Sequence, residues 1–310
     1  MTSLAGVATY LPEQRFTIED LAGPLGLTPM QVKLFRRFHG LDEVRRDPDG
    51  TLADLLTSAA AGLTGLAGQE HRVRYVIHAR SMAVVAPYPH NPLHEVCRAL
   101  GLGHATAFTV SHHACATGLL ALDMAGRLLA GDGDADALAL VLTGEKAFTR
   151  DAQLVPETSV FGEGAAACLV RAGGDQDRLL AYAVNTQGEF DGRLEDDPEL
   201  LGRYQREYPG WLAAAVTAAL SQAGTGLDEV SLILPHNVNA VSWRKLCRRT
   251  GFPVERVLLD NVPVTGHTFC ADGFFNYQTA LRRGLLRPGD RYLMAAAGLG
   301  ATFSAMVFEH

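Results

Sequence analysis

Short runs of β-branched and aliphatic residues alternate along the chain with longer stretches whose apolar positions recur every three or four residues. The runs 74–79 (RYVIHA), 106–111 (TAFTVS), 137–144 (ALALVLTG), 165–171 (AAACLVR), 179–186 (LLAYAVNT), 231–236 (SLILPH), 291–298 (RYLMAAAG) and 303–309 (FSAMVFE) predict strands. The stretches 29–38, 51–66, 91–100, 115–130, 210–223, 240–250 and 273–285 predict helices. This alternation implies an α/β fold built in layers. The polar, Gly-rich segment 171–178 (RAGGDQDR) is the best internal joint, and the acidic segment 189–200 (EFDGRLEDDPEL) reads as a solvated loop.

The same pattern occurs twice. Residues 108–145 and 258–298 each run from an apolar strand through a residue with reactive chemistry into a helix ending in a Leu-Leu pair, then a Gly-Asp turn and another strand. Each unit closes on a Gly-containing loop and a further apolar run, VFGEGAAACLV (160–170) in one and GLGATFSAMVF (298–308) in the other. The chain therefore reads as two duplicated halves, 1–172 and 173–310, with Cys115 and His267 at matching strand-to-helix junctions.

Composition narrows the function classes. With 310 residues, 20% of them charged, and a formal charge of -7, the chain has a large core and no strongly basic domain, which argues against nucleic-acid binding. Five scattered cysteines with no CxxC pair suggest reduced thiols in the cytoplasm. The opening MTSLAGVATYLPEQRF lacks a basic leader, and no apolar run approaches 18 residues, so neither export nor membrane insertion is expected.

A thiolate at a helix N-terminus is stabilised by unpaired N–H groups and the helix dipole, which is the environment SHHACATGLLALDMAG offers Cys115. Taken alone, the stretch fits a buried small cysteine equally well. A nucleophilic cysteine also needs a base and a group to orient it. His236 in LILPHNVN ends a strand run, and His267 in VTGHTFCAD precedes Asp272 by five residues. His112 and His113 match no zinc spacing, and strand alternation would point them to opposite faces, so no metal is expected.

Taken in order, these motifs resemble the β-ketoacyl-(acyl-carrier-protein) synthase III branch of the thiolase superfamily over nearly the whole chain. ACATGLLALDMAGRLL resembles the nucleophile motif and puts Cys115 in the acylated position. VFGEGAAACLV resembles the FGDGAGAVVL strand, and HNVN resembles HQAN, which places His236 and the substrate-binding Asn239. GLGATFSAMV resembles the closing GGGLTWGS loop, whose N–H near Leu299 and Gly300 would complete an oxyanion hole with that of Cys115. The resemblance implies a five-layered αβαβα fold and a homodimer. Phe161, with Phe148, Phe269, Phe274 and Phe303, is a candidate pocket residue.

Two departures shape the expected function. GHTFCAD stands where the family has GNTSAAS, so His267 replaces the catalytic Asn and Asp272 lies behind it. That arrangement resembles a subgroup of homologues from antibiotic pathways that act as acyltransferases or unusual starter-unit enzymes. It implies a Cys115–His267–Asp272 triad assisted by His236. Leu34 and Phe38 stand where relatives that use coenzyme A clamp its adenine with Trp and Arg. SWRKLCRR instead places Arg244, Lys245, Arg248 and Arg249 on the helix that docks an acidic carrier protein in the family. The expectation is an acyltransferase with no resident cofactor. It takes its acyl group from an acyl-phosphopantetheine or acyl-coenzyme A thioester and gives it to a small hydroxyl or amine acceptor. Decarboxylative Claisen condensation is the alternative, thioester hydrolysis ranks third, and a catalytically silent partner subunit ranks low.

Overall fold

The protein, as a computed structural model, is described over residues 2–190 and 196–310. Among these residues nine strands lie side by side in the order Val230–Pro235, Arg291–Gly298, Thr302–Glu309, Arg178–Thr186, Thr2–Tyr10, Gly164–Ala172, Leu138–Glu145, Val73–Ala79 and Thr106–Val110. The middle of this array is its weakest seam. Arg178–Thr186 meets Thr2–Tyr10 only through the Thr2–Leu179 and Ser3–Arg178 pairs, whereas Thr2–Tyr10 pairs along its length with Gly164–Ala172. The array is thus a five-stranded and a four-stranded sheet joined at one corner.

Period-two alternation explains how each sheet faces two helical layers. Ala165, Ala167 and Leu169 pack with Leu55, Leu56 and Val96 of the outer helices Leu52–Ala61 and Pro92–Ala99. Their neighbours Ala166, Cys168 and Val170 turn inward, towards Leu122 and Ala125 of the helix Thr117–Asp132 and Phe274 and Tyr277 of the helix Asp272–Arg282. Tyr292, Met294 and Met306 of the second sheet close this central layer from the other side, while Leu293, Ala295 and Val307 face Val216, Leu220 and Trp243 of the opposite outer helices. The layers run αβαβα, as the resemblance implied.

A helix covered on both sides needs apolar residues all round, and Thr117–Asp132 has them. Its stretch 114–132 is long and apolar enough to cross a membrane, yet it is the packed middle layer here. Gly126 lets the strand Thr2–Tyr10 come close, since a Cβ there would lie 2.0 Å from Thr2 Oγ1.

Three local expectations are corrected. The helix expected at 210–223 runs from Pro198 to Ala223, so the end of the supposed loop 189–200 is helical. Asp197 caps it by accepting from the N–H groups of Glu199 and Leu200, and Pro198 suits the first turn. Phe190 of the same segment is fully buried, and residues 191–195 lie outside the described residues. His112 and His113 are not on a strand: the strand ends at Val110, and His112 has φ +74°. Finally, Thr2–Tyr10, which reads weakly because Thr, Ser, Ala and Gly fill six of its nine positions, is a strand paired with Gly164–Ala172.

Candidate active site

Cys115 is the middle residue of the 3-10 turn Ala114–Ala116, which runs straight into the helix Thr117–Asp132. The approach is strained, because His112 and Ala114 (φ +44°) both occupy the left-handed region that non-glycine residues avoid. The closing turn braces it. A Cβ at Gly298 would lie 2.0 Å from the carbonyl oxygen of His113, so only glycine lets that strand end press against the nucleophile turn. Leu299 follows half-exposed and Gly300 has φ +104°, in the turn that continues from Gly298.

His267 reaches the sulfur from the second half of the chain. Its N–H donates to Val160 O at 3.1 Å and its carbonyl accepts from Gly162 N at 3.0 Å, so its backbone is held against the 160–162 segment. Its Nδ1 donates to Asp272 Oδ2, which leaves Nε2 as the ring nitrogen available to Cys115. Asp272 accepts three further hydrogen bonds, from Asn237 N at 2.6 Å, Thr268 N at 2.7 Å and Thr268 Oγ1 at 2.6 Å. Burial raises the proton affinity of this carboxyl, but His267 and the Thr268 donors outweigh it and hold Asp272 below its ordinary value. Burial likewise opposes a charge on His267, yet Asp272 and Cys115 together push it up to about 10.

His236 is the opposite case. Buried, and repelled by His267, it is lowered to about 3 and is neutral. Its Nδ1 lies 3.4 Å from the carbonyl of Ala295, which can only accept, so the proton sits on Nδ1. Nε2 is then the acceptor of the Tyr208 hydroxyl at 2.9 Å. The two imidazoles are 6.0 Å apart. They are poised differently: His267 as a charged donor, His236 as a neutral acceptor.

The structure brings Cys115, His236, His267 and Asp272 together. Phe161 joins them, its ring tilted at 4.7 Å from His267 and stacked at 4.5 Å on Phe269. Asn239 lies nearby, but its amide is committed elsewhere: Oδ1 caps the helix Ala240–Thr250 at Ser242 N, and Nδ2 donates to Thr158 O. Arg244, Lys245, Arg248 and Arg249 are all exposed on that helix, while Trp243, Leu246 and Cys247 of the same helix face the core. Phe38, at the supposed clamp position, is 57% exposed. Among the described residues no group of three or more His, Cys, Asp and Glu side chains converges as a metal site would require.

Several contributors are not among the expected site residues. Tyr208 comes from the first half of the helix Pro198–Ala223, where it packs against Phe303. Asn237 accepts from Asn276 Nδ2 at 2.8 Å, which ties the His236 segment to the helix bearing Asp272. Ser81 and Cys270 flank the nucleophile: Ser81 Oγ is 3.4 Å from Cys115 Sγ and 3.6 Å from Cys270 Sγ. The cavity enclosed by Cys115, His236, Phe269 and their neighbours measures about 10 Å³, room for roughly one water.

The chain is similar to known proteins. Residues 220–310 match the family described as 3-oxoacyl-[acyl-carrier-protein (ACP)] synthase III C terminal. Beta-ketoacyl-[acyl-carrier-protein] synthase III of Ruegeria sp. (strain TM1040) is 30% identical over 228 residues, which span 68% of this chain and 69% of that protein. The protein of the same name from Pseudomonas aeruginosa (strain LESB58) is 26% identical over 324 residues, covering 99% of this chain and 96% of its own. Among solved structures, ChlB3, described as an acyltransferase, superposes with a TM-score of 0.86 at 20% identity, over 99% of this chain and 97% of that one, a likeness of fold. With a 30%-identical relative matched over two thirds of its length, the chain belongs to the β-ketoacyl-(acyl-carrier-protein) synthase III family of the thiolase superfamily.

Proposed function

We propose that the protein is a ping-pong acyltransferase that loads an acyl group from a carrier-protein thioester onto Cys115 and passes it to a hydroxyl or amine. The observation that carries this reading is the buried Asp272 carboxylate, whose bond to Nδ1 fixes the tautomer and charge of His267. In the first half-reaction the Cys115 thiolate adds to the thioester carbonyl, whose oxygen collects charge beside the N–H groups of Cys115 and the 299–300 turn. The donor's C–S bond breaks and its sulfur leaves with the proton of His267. Acylation also removes the anionic sulfur that helped hold that proton. Neutral His267, still oriented by Asp272, then takes the proton of the acceptor as its oxygen or nitrogen attacks. The bond to Cys115 breaks, and the thiolate and imidazolium are restored. The basic residues of the helix Ala240–Thr250 support an acidic carrier as donor, and dimerisation follows the family.

Decarboxylative condensation is the second reading, favoured by the names of the curated relatives and by the paired histidines. It requires His236 to donate to an enolate oxygen, whereas neutral Nε2 is already an acceptor for Tyr208.

Intact-protein mass spectrometry with acyl-carrier and acyl-coenzyme A thioesters, without acceptor, tests the first half. Wild type gains the acyl mass and Cys115→Ala does not; no gain with any donor refutes the reading. Product analysis with an acceptor panel then separates an ester or amide from carbon dioxide release and a β-ketoacyl product.

A further inference from the structure

Glu145, the last residue of the strand Leu138–Glu145, is fully buried and has no place in the steps above. Its Oε1 accepts from Ser81 N and its Oε2 from Met82 N at 3.1 Å, so the carboxyl holds the segment that follows the strand Val73–Ala79; burial raises it to about 7, and it competes with the two sulfurs for the Ser81 hydroxyl. Two backbone N–H groups held by one carboxyl fix the position of a short segment far better than solvent does. The residue so fixed is Ser81, whose Oγ lies 3.4 Å from Cys115 Sγ.

The same hydroxyl also approaches Cys270 Sγ at 3.6 Å, and the two sulfurs are not equivalent. Cys270 spends its S–H on the carbonyl of Ala114 at 3.3 Å, and burial holds its thiol neutral by raising it well above the ordinary value. A hydroxyl proton gains most from the sulfur that carries charge in the reaction. That sulfur is Cys115.

We propose that Ser81 is a further catalytic residue, donating its O–H to Cys115 Sγ whenever that sulfur is anionic, and that Glu145 is the positioning residue that keeps it there. The inference rests on Cys115 being the nucleophile. No bond of Ser81 breaks. Its hydroxyl stabilises the free thiolate before acylation, and again when the C–S bond to the acyl group breaks and the electron pair returns to sulfur. His267 supplies and recovers the proton, so Ser81 is the donor that stays with the sulfur after the imidazole proton has gone.

The test is the rate of carbamidomethylation of Cys115 by iodoacetamide from pH 5 to 9, followed on the full-length protein by intact mass and peptide mapping. No acyl donor is involved. Ser81→Ala moves the rate profile about one pH unit towards alkali, roughly tenfold slower on its rising limb, the size of a charge-assisted hydrogen bond. Ser81→Thr, which keeps the hydroxyl, restores the wild-type profile. Glu145→Gln, which keeps one acceptor for two N–H groups, shifts it the same way by less. A Ser81→Ala profile that overlays wild type, or a Thr variant shifted as far as Ala, overturns the inference. Should Ser81→Ala not fold, an unshifted Glu145→Gln profile does so instead. If wild-type Cys115 is alkylated no faster than the other four cysteines, the nucleophile reading itself fails, an outcome distinct from Ser81 having no effect.

Discussion

Replacing Asp272 by Asn keeps the size of the side chain and reverses the meaning of one of its ends. The amide oxygen can still accept from Thr268 N and Oγ1, but the amide nitrogen then meets two donors, His267 Nδ1–H and Asn237 N–H. His267 escapes the clash by moving its proton to Nε2, the wrong tautomer for taking a proton at that nitrogen. The energy follows from the proton affinities. At about 10, wild-type His267 at pH 7 is protonated by roughly 1000 to 1, since each unit is tenfold. Without Asp272 only Cys115 opposes burial, the largest single influence on the ring, and the ring falls back to near its ordinary 6.5. The change exceeds three units, about 4 kcal/mol of lost imidazolium stabilisation. Part of this reaches the thiolate, so the expected loss is about 10²–10⁴-fold in acyl loading at pH 7, with a comparable loss in transfer. Single-turnover loading followed by intact mass, with circular dichroism to confirm folding, measures it. A folded Asp272→Asn protein that loads within threefold of wild type would falsify the triad argument.

The same residue predicts a pH effect on stability. His267 is raised in the folded state, so its stabilisation is complete below the unfolded value near 6.5 and is lost as pH rises towards 10. In a Cys115→Ala background, where no thiolate offsets the proton held by His267, the unfolding free energy from urea melts should fall between pH 7 and 8.5, by at most about 1.4 kcal/mol per unit, a slope absent when Asp272→Asn is added; equal slopes refute the assignment. Far from the site, Asp177 accepts from Tyr277 Oη at 2.6 Å, Tyr292 Oη at 2.9 Å and His310 Nδ1 at 2.8 Å. Asp177→Ala strands two buried phenols and should lower the unfolding free energy by about 3 kcal/mol, while loading per folded molecule stays intact. Charge reversal of Arg244 and Arg248 to Glu should raise KM for carrier-bound donors about tenfold and leave short synthetic thioesters unaffected; equal effects on both donors argue against carrier docking there.

The eight strands expected from alternation all form, within one or two residues of their expected ends, because each is a compact apolar run; six are buried on both faces, while Thr106–Val110 and Arg178–Thr186 are mostly half-buried or exposed. The helix beginning at Pro198 escaped notice because Gly202, Pro209 and Gly210 read as breakers. Tertiary packing of Tyr208, Leu212 and Val216 overrides that local signal. Cys115, His267 and Asp272 were legible since each sits inside a short motif, and His267 reaches Asp272 within five residues. Ser81 and Tyr208 were not, because nothing local marks them. Ser81 arrives beside Cys115 only through parallel pairing of Val73–Ala79 with Thr106–Val110, and Tyr208 only through the fold of an outer helix onto the second sheet. Asn239 shows the reverse hazard: its motif suggests a substrate contact, while its amide is spent on a helix cap and on Thr158 O.

The chain has two tryptophans, and both report on His236. Trp243 donates its indole N–H to the His236 carbonyl at 2.8 Å, and Trp211 sits among Phe190, Tyr204 and Phe303, beside the tyrosine that holds His236 Nε2. With space for about one water at the sulfur, an acyl chain enters only if the lining there, which includes His236, Phe269, Phe274 and Met294, gives way. Intrinsic fluorescence is therefore a label already built in: Trp243 packs 5.2 Å from the His236 ring that lines the cavity, so loading Cys115 changes its emission in real time, with no dye and no cysteine handle to compete with the nucleophile.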